Sequence, residues 1–287
     1  MLTITSLTVN HLTDAVGLDE PLGFSWTFQS QRRGALQTAY RLQIARQKSF
    51  VNPIFDSGLV PSGESQNRPA EGFSPAAAEA YFVRVKVQSS LGVASAWSSP
   101  VRFSTGMMGS QRAAMITAED PPCPDRSCGT YVRGSFKIKG RVRSAWLFTS
   151  ALGLYVPFLN GTRVGADQLA PGWTSYHKHL LYQANEVTSL LRQGENVAGA
   201  MLGAGWFKGK MGFLLKRNNY GRQTAFFSNS LSATATDGCK RFSAMHLGKD
   251  AKAPLSFRKY TTAKYTTRAW SKKTGVNRRR TSPFGIP

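Results

Sequence analysis

The chain has 287 residues, 41% of them hydrophobic and 11% aromatic, enough to bury one large core or two medium ones. Its 37 Lys and Arg against 15 Asp and Glu give a formal charge of +22, a balance that ordinarily points to phosphate backbones or anionic surfaces. No run approaches the roughly 18 apolar residues of a membrane-spanning helix, which excludes that class and leaves no membrane partner expected.

The N-terminal "MLTITSLTVNHLTDAVGLDEPLG" has neither a basic start nor an apolar segment, so no secretory leader is expected and a cytoplasmic location is. The three cysteines do not make an even framework. Cys123 and Cys128 are not at a zinc-knuckle spacing and have no His nearby. The expectation is free thiols in a reducing compartment, with a local Cys123–Cys128 disulfide as the alternative.

Strand patterns fill the first hundred residues. In "AYRLQIA", Tyr40, Leu42 and Ile44 share one face and Arg41 and Gln43 the other; in "YFVRVKVQ", Tyr81, Val83, Val85 and Val87 oppose Arg84 and Lys86. A period of two marks half-buried antiparallel strands. "DSG" at Asp56–Gly58, "SLG" at Ser90–Gly92, Pro53 and Pro100 punctuate them. Such short strands predict a small β-sandwich over residues 1–106. Trp26 and Trp97 are expected in core and edge packing, with ligand binding as the alternative. Residues 107–129 hold Pro121, Pro122, Pro124, Gly109 and Gly129 without a periodic pattern and read as a linker.

From Thr130 strand patterns resume and run to Gly238. "FLNGTRVG" predicts a hairpin, because Asn160–Gly161 tolerates the two positive φ values of a type I′ turn. "YQANEVTSLLRQGENV" predicts a short helix or turn and then a Gly-bounded loop into a strand. "AGAMLGAGWFKG" is too Gly-rich for a helix and suits a strand whose backbone passes close to something. His177 and His179 lack a third partner for zinc, so no metal is expected, and no phosphate loop or nucleophilic triad implies a cofactor or catalytic centre.

The order "FSW…YRLQIA…FDSGLV…YFVRVKV…SAWSSPVRFSTG" resembles the fibronectin type III-like module that opens bacterial alpha-L-rhamnosidases. "ALGLYVPFLNGTRVG", "LAPGWTSYHKHLLYQANEVT", "GENV" and "GAGWFKGKMGF" resemble the N-terminal jelly-roll domain of the same family, in its order and spacing. Ser175 stands where the family pattern has an acid and His179 where it has Arg. The resemblance implies an all-β fold of two β-sandwich modules, fibronectin III-like at 1–106 and an incomplete jelly roll at 130–238; the basic tail after them, unpatterned for burial, is expected to be poorly ordered. It also implies that the catalytic carboxylates lie in a helical (α/α)6 barrel outside this sequence. An inverting glycosidase needs one carboxylic acid and one carboxylate across the scissile bond; the 15 acids here form no such motif, so no catalytic residue is assigned and the chain by itself is expected to be inactive. Rhamnose-containing glycans and the catalytic barrel are the implied partners. Jelly rolls can seat sugars on aromatic platforms with polar rims. The candidates are Trp173, Tyr176 and Trp206, with Asn160 and Asp167 as polar partners; packing between sheets or against a barrel is the competing reading.

The charge is concentrated at the end. From Cys239 on there are 13 Lys and Arg against the single acid Asp250, or +12; the preceding residues hold 24 against 14, or +10. Back-translated and read one nucleotide earlier, Lys259–Thr267 permits Glu-Ile-Tyr-Asp-Gly-Glu-Ile-Tyr-Asp, and the flanking residues permit a similar run that resembles the rhamnosidase continuation. Residues 239–287 are therefore expected to be frame-shifted translation, with the shift near Gly238–Phe242, and no nucleic-acid partner is expected. A stand-alone carbohydrate-binding protein and a basic nucleic-acid-binding protein remain the alternative functions.

Overall fold

In the computed structural model, described residues are 2–19, 21–109, 115–117, 129–234, 239–242 and 264–267. They fall into two units, the first ending at Gly109 and the second holding the described residues from 115 on. The described residues are all-β apart from two helical turns. Most of the expected linker, Cys123 and Cys128 among it, and most of the basic tail lie outside the described residues.

The first unit contains β1 (Leu2–Val9), β2 (Ala15–Leu18), β3 (Phe24–Ser30), β4 (Gln37–Ala45), β5 (Phe55–Asp56), β6 (Val60–Pro61), β7 (Ala80–Ser89) and β8 (Val101–Thr105). β1 and β3 pair antiparallel as one sheet. The other runs β2-β8-β7-β4-β5, with β6 also on β4. All its pairs are antiparallel except β2 with β8, which run parallel with Ala15 opposite Phe103 and Leu18 opposite Thr105. Gly17 N donates to Ser104 Oγ at 3.0 Å and Gly106 N to Leu18 O at 2.6 Å along this seam.

The period-two reading locates the core. Tyr81, Val83, Val85 and Val87 are buried against Tyr40, Leu42 and Ile44, with Trp26, Phe24 and Phe103 in the same cluster. Burial of apolar surface contributes about 25 cal/mol per Å², which makes these two strands the domain's main stabilising pair. Trp26 is buried, and its indole N–H donates to Gln37 Oε1 (2.9 Å), so burial leaves no donor unpaired.

Trp97 is placed differently. It is half-buried on the outer face of the β4–β7 sheet, where the Arg84 guanidinium lies 4.4 Å from its ring centroid and 4.3 Å from that of Phe50. Arg84 also donates to Gln43 Oε1 from Nε and Nη2 (2.9 and 2.6 Å), and Gln43 donates to Asp56 (2.6 Å). Arg41 makes a two-pronged pair with Asp56 at 2.8 and 2.6 Å. Gln43, expected on the polar face, is there, yet buried under this lattice. Ser95 and Ser98, either side of Trp97, accept from Val87 N and Val85 N (3.1 Å each) while their own amides donate to the same residues' carbonyls. The segment thus satisfies the edge of β7 beyond the reach of β8.

The second unit contains β9 (Thr130–Ile138), β10 (Val142–Leu152), β11 (Leu154–Leu159), β12 (Thr162–Arg163), β13 (His179–Glu186), a 3-10 turn (Thr188–Leu190), β14 (Gly194–Gly203), the one-turn helix α1 (Gly205–Lys208), β15 (Ala225–Thr234), β16 (Cys239–Phe242) and β17 (Lys264–Thr267). One sheet runs β12-β11-β14-β9 and the other β16-β15-β10-β13-β17. Of the basic tail, β16 and β17 are described; they form the outer edges of the second sheet, β17 parallel to β13. Val132, Ala151, Tyr155, Ala200, Leu202 and Phe226 form one buried cluster, and Ala145, Leu147, Leu159, Val164, Val187 and Ala198 another. Tyr155 is fully buried, its OH bonded to Thr149 O and Oγ1 (2.7 and 3.0 Å) and to Gln183 Oε1. Desolvation pushes that phenol far above its ordinary pKa.

The hairpin forms as its Asn-Gly pair dictates: Asn160 and Gly161 have φ of 48° and 81°, and Leu159 faces Thr162 across the turn. The 3-10 turn fills the place expected for a short helix or turn. "AGAMLGAGWFKG" departs from expectation in its second half. It is strand through Gly203 and then one helical turn, "GWFK". Gly205 explains the switch: its φ is +48° and a Cβ there would sit 2.6 Å from Leu154 Cγ, so the chain bends away from the sheet where only glycine fits.

Candidate functional site

The loop between β12 and β13 carries Trp173 and Tyr176, and α1 carries Trp206. The loop is held in shape by Gly172 (φ +97°), by Lys178 N and His179 N donating to Ser175 O (2.7 and 2.9 Å), and by the Thr174 hydroxyl donating to His179 O. β14 delivers α1, whose Phe207 turns inward and is buried. The following loop returns along α1, with Asn218 N donating to Lys208 O (3.0 Å) and Tyr220 N to Phe207 O (3.2 Å). Gly221 lets it approach, since a Cβ there would lie 2.5 Å from Phe207 Cζ.

These three segments assemble an aromatic cluster around Tyr220. Its ring lies 4.9 Å from that of Tyr176, 5.6 Å from that of His177 and 6.4 Å from that of Phe207. Its hydroxyl accepts from Trp173 Nε1 (3.2 Å). Trp173 and Trp206 have nearly parallel planes, 7° apart, with centroids separated by 6.3 Å. Trp173 is 55% exposed and Trp206 half-buried, so the pair presents indole surface to solvent. Tyr176 is buried beneath, edge-on to Phe207 at 5.3 Å, its hydroxyl donating to Gly172 O (3.2 Å). Burial, with a smaller contribution from Tyr220, pushes its phenol up to about 12, so it is neutral and acts as support.

Of the five residues nominated from sequence, the structure brings Trp173, Tyr176 and Trp206 into one cluster. Asn160 is engaged elsewhere. Its Nδ2 donates to Leu190 O (2.9 Å) and Asn196 Oδ1 (2.8 Å), and its Oδ1 accepts from Val197 N (2.8 Å). Those bonds close the corner between the hairpin and β14. Asp167 is exposed earlier in the β12–β13 loop, its carbonyl accepting from Arg163 Nη2 (2.7 Å). Sequence reasoning missed Tyr220, which ties the cluster together, and His177 as its exposed rim. The one available signal was "NNYG", an aromatic beside a glycine in a polar loop. Among the described residues, no three His, Cys, Asp or Glu side chains converge as a metal site. The described carboxylates of the second unit, Asp167, Glu186 and Glu195, sit on separate elements.

Two family models match the chain: "Rha78A-like, N-terminal immunoglobulin domain" over residues 4–109 and "Alpha-L-rhamnosidase N-terminal domain" over residues 140–245. The chain matches the N-terminal region of alpha-L-rhamnosidases. The first rhamnosidase domain takes the immunoglobulin name where the sequence resembles fibronectin type III; both are sandwiches of the same architecture. An alpha-L-rhamnosidase of Streptomyces avermitilis is 40% identical over 116 residues, covering 40% of this chain and 11% of that protein. One of Alteromonas sp. (strain LOR) is 28% identical over 245 residues, covering 78% and 26%. The crystal structure of an Aspergillus terreus alpha-L-rhamnosidase superposes with a TM-score of 0.75 at 27% identity, covering 85% of this chain and 29% of that one. The chain thus spans between about a tenth and a third of the length of these three rhamnosidases. Among the described residues no helix is long and apolar enough to cross a membrane.

Proposed function

We propose that the two sandwiches are the non-catalytic modules of a longer alpha-L-rhamnosidase, one that hydrolyses terminal alpha-L-rhamnose from glycosides with inversion, and that the Trp173–Trp206 face touches the glycan. The observation that carries the glycan reading is the parallel, solvent-facing indole pair with its hydrogen-bonded support. The apolar face of a pyranose ring carries C–H groups that rest favourably on an aromatic face, while its hydroxyls remain hydrated. Both indoles are held by packing before any ligand arrives, so little ordering entropy opposes contact. The carboxylate pair for hydrolysis belongs, on this reading, to a further domain.

Two measurements test it. The purified chain should show no turnover of a chromogenic alpha-L-rhamnoside; turnover that co-purifies with it overturns the non-catalytic assignment. Rhamnose-containing oligosaccharides should perturb tryptophan fluorescence, and Trp173→Ala should abolish the change while the chain keeps a cooperative melting transition. A response that survives both Trp173→Ala and Trp206→Ala removes the indole pair from the glycan surface. Binding by the isolated chain strong enough to recover it from a glycan column would favour the stand-alone carbohydrate-binding reading.

A further inference from the structure

We infer that the loop joining α1 to β15 is an interfacial anchor that inserts into an anionic lipid surface. The loop folds back on itself through a bridge between Met211 and Lys216, with Met211 N donating to Lys216 O (2.9 Å) and Leu215 N to Gly212 O (3.1 Å). At its tip Phe213, Leu214 and Leu215 are 99%, 72% and 58% exposed. Three consecutive large apolar side chains in water are costly, and such exposure marks a contact surface. Its base is fixed to α1 by the Asn218 and Tyr220 amide bonds described above, so the tip is presented on a held stem.

The chemistry of the occupant follows from two features. Exposure at three successive positions of a tight turn points the side chains in different directions. A flat protein partner covers one such direction; a fluid hydrocarbon layer surrounds all of them. The tip is also collared by exposed cations, Lys210 and Lys216, one on each arm. Residues 196–236 contain no Asp or Glu and five Lys and Arg. Apolar residues beneath the headgroups with cations at phosphate depth is the arrangement by which peripheral elements hold anionic leaflets. No membrane-spanning element is required, so the lack of a spanning segment in the sequence does not bear on it.

The test is flotation of the full chain with phosphatidylserine–phosphatidylcholine vesicles. Floating with anionic vesicles, and not with phosphatidylcholine alone, is expected. Phe213→Ser with Leu214→Ser should weaken partitioning by about tenfold or more, since two of the three exposed apolar side chains then gain little from insertion. Lys210→Glu with Lys216→Glu should weaken it and lessen its dependence on salt. Phe213→Trp should be quenched by brominated acyl chains beyond the quenching of the parent chain. If the basic tail alone drives binding, the serine variant floats as well as the parent and the inference fails. Absence of flotation, as expected if the tip seats on a protein surface, also overturns it.

Discussion

Replacing Tyr220 tests the architecture of the aromatic cluster, because one side chain there supports the indole pair in two separable ways. Tyr220→Phe removes only the hydroxyl that accepts from Trp173 Nε1. Trp173 is more than half exposed, so its N–H re-bonds to water, and the net loss should be about 0.5–1 kcal/mol. Tyr220→Ala also removes a half-buried ring. Half-burial of an aromatic side chain contributes about 1 kcal/mol. The contacts with Tyr176 at 4.9 Å and Phe207 at 6.4 Å add roughly 0.5–1 kcal/mol each, and that with the exposed His177 little. With the lost hydrogen bond the total is about 2.5–4 kcal/mol, or roughly 10–20 °C in the melting of a domain this size. In calorimetry the melting of the second domain should move and that of the first should not. Tryptophan fluorescence should shift for both variants, since Trp173 loses its partner in each. If Tyr220→Ala melts like the parent, or Tyr220→Phe costs as much as Tyr220→Ala, the cluster is not held as described.

Other consequences can be measured directly. Asn160→Ala should destabilise the second domain by about 2–4 kcal/mol, because it strands the Val197 amide and places a residue without local hydrogen bonding at φ 48°; chemical denaturation measures it. The hydrogen bonds from Arg41 hold the Asp56 carboxyl below the ordinary carboxylate range against a smaller opposing effect of burial. A depressed folded pKa contributes stability above the unfolded value of about 3.9 and loses it as pH falls toward the folded one, so Asp56→Asn should flatten the first domain's acid dependence below about pH 4. Arg84→Met should loosen Trp97 and Phe50 together, read as a red shift in emission, while leaving the buried Trp26 unchanged. Nucleotide sequence across codons 236–243 should show a neighbouring frame that continues as an acidic, rhamnosidase-like segment; early stops in that frame would remove the frameshift account of the tail.

Strands were legible where one face is apolar and the other polar, as in β4 and β7, because burial on one side writes itself into the period. The Asn160–Gly161 turn was legible because few pairs accept two positive φ values. Trp97 was half legible: its edge position was expected, but the Arg84 lattice over it joins residues 41 positions apart, and no local pattern encodes that. α1 escaped because its glycines argue against a helix, while the close approach of Leu154 that demands Gly205 is a tertiary fact. At the site, large aromatics in Gly- and Pro-bounded loops drew attention to Trp173, Tyr176 and Trp206. Composition could not tell a supporting ring from a presented one. Asn160 shows the same limit: a polar residue at a turn can face solvent or lock a corner, and only its hydrogen bonds decide.

The parallel seam of β2 and β8 bears on how the first domain answers tension. One strand lies near the beginning of the domain and the other near its end, and they run in the same direction. Pulling the two ends apart therefore drags the strands lengthwise past each other. The Gly17–Ser104 and Gly106–Leu18 bonds resist together as a shear patch; they do not peel one after another. Resistance to such a pull is a matter of unfolding rate, set by those few bonds, and it can differ greatly from the domain's resistance to heat. A load applied from the C-terminal side would meet this short seam first, whereas one from the N-terminal side would first meet β1, paired with β3 at Leu7 and Trp26.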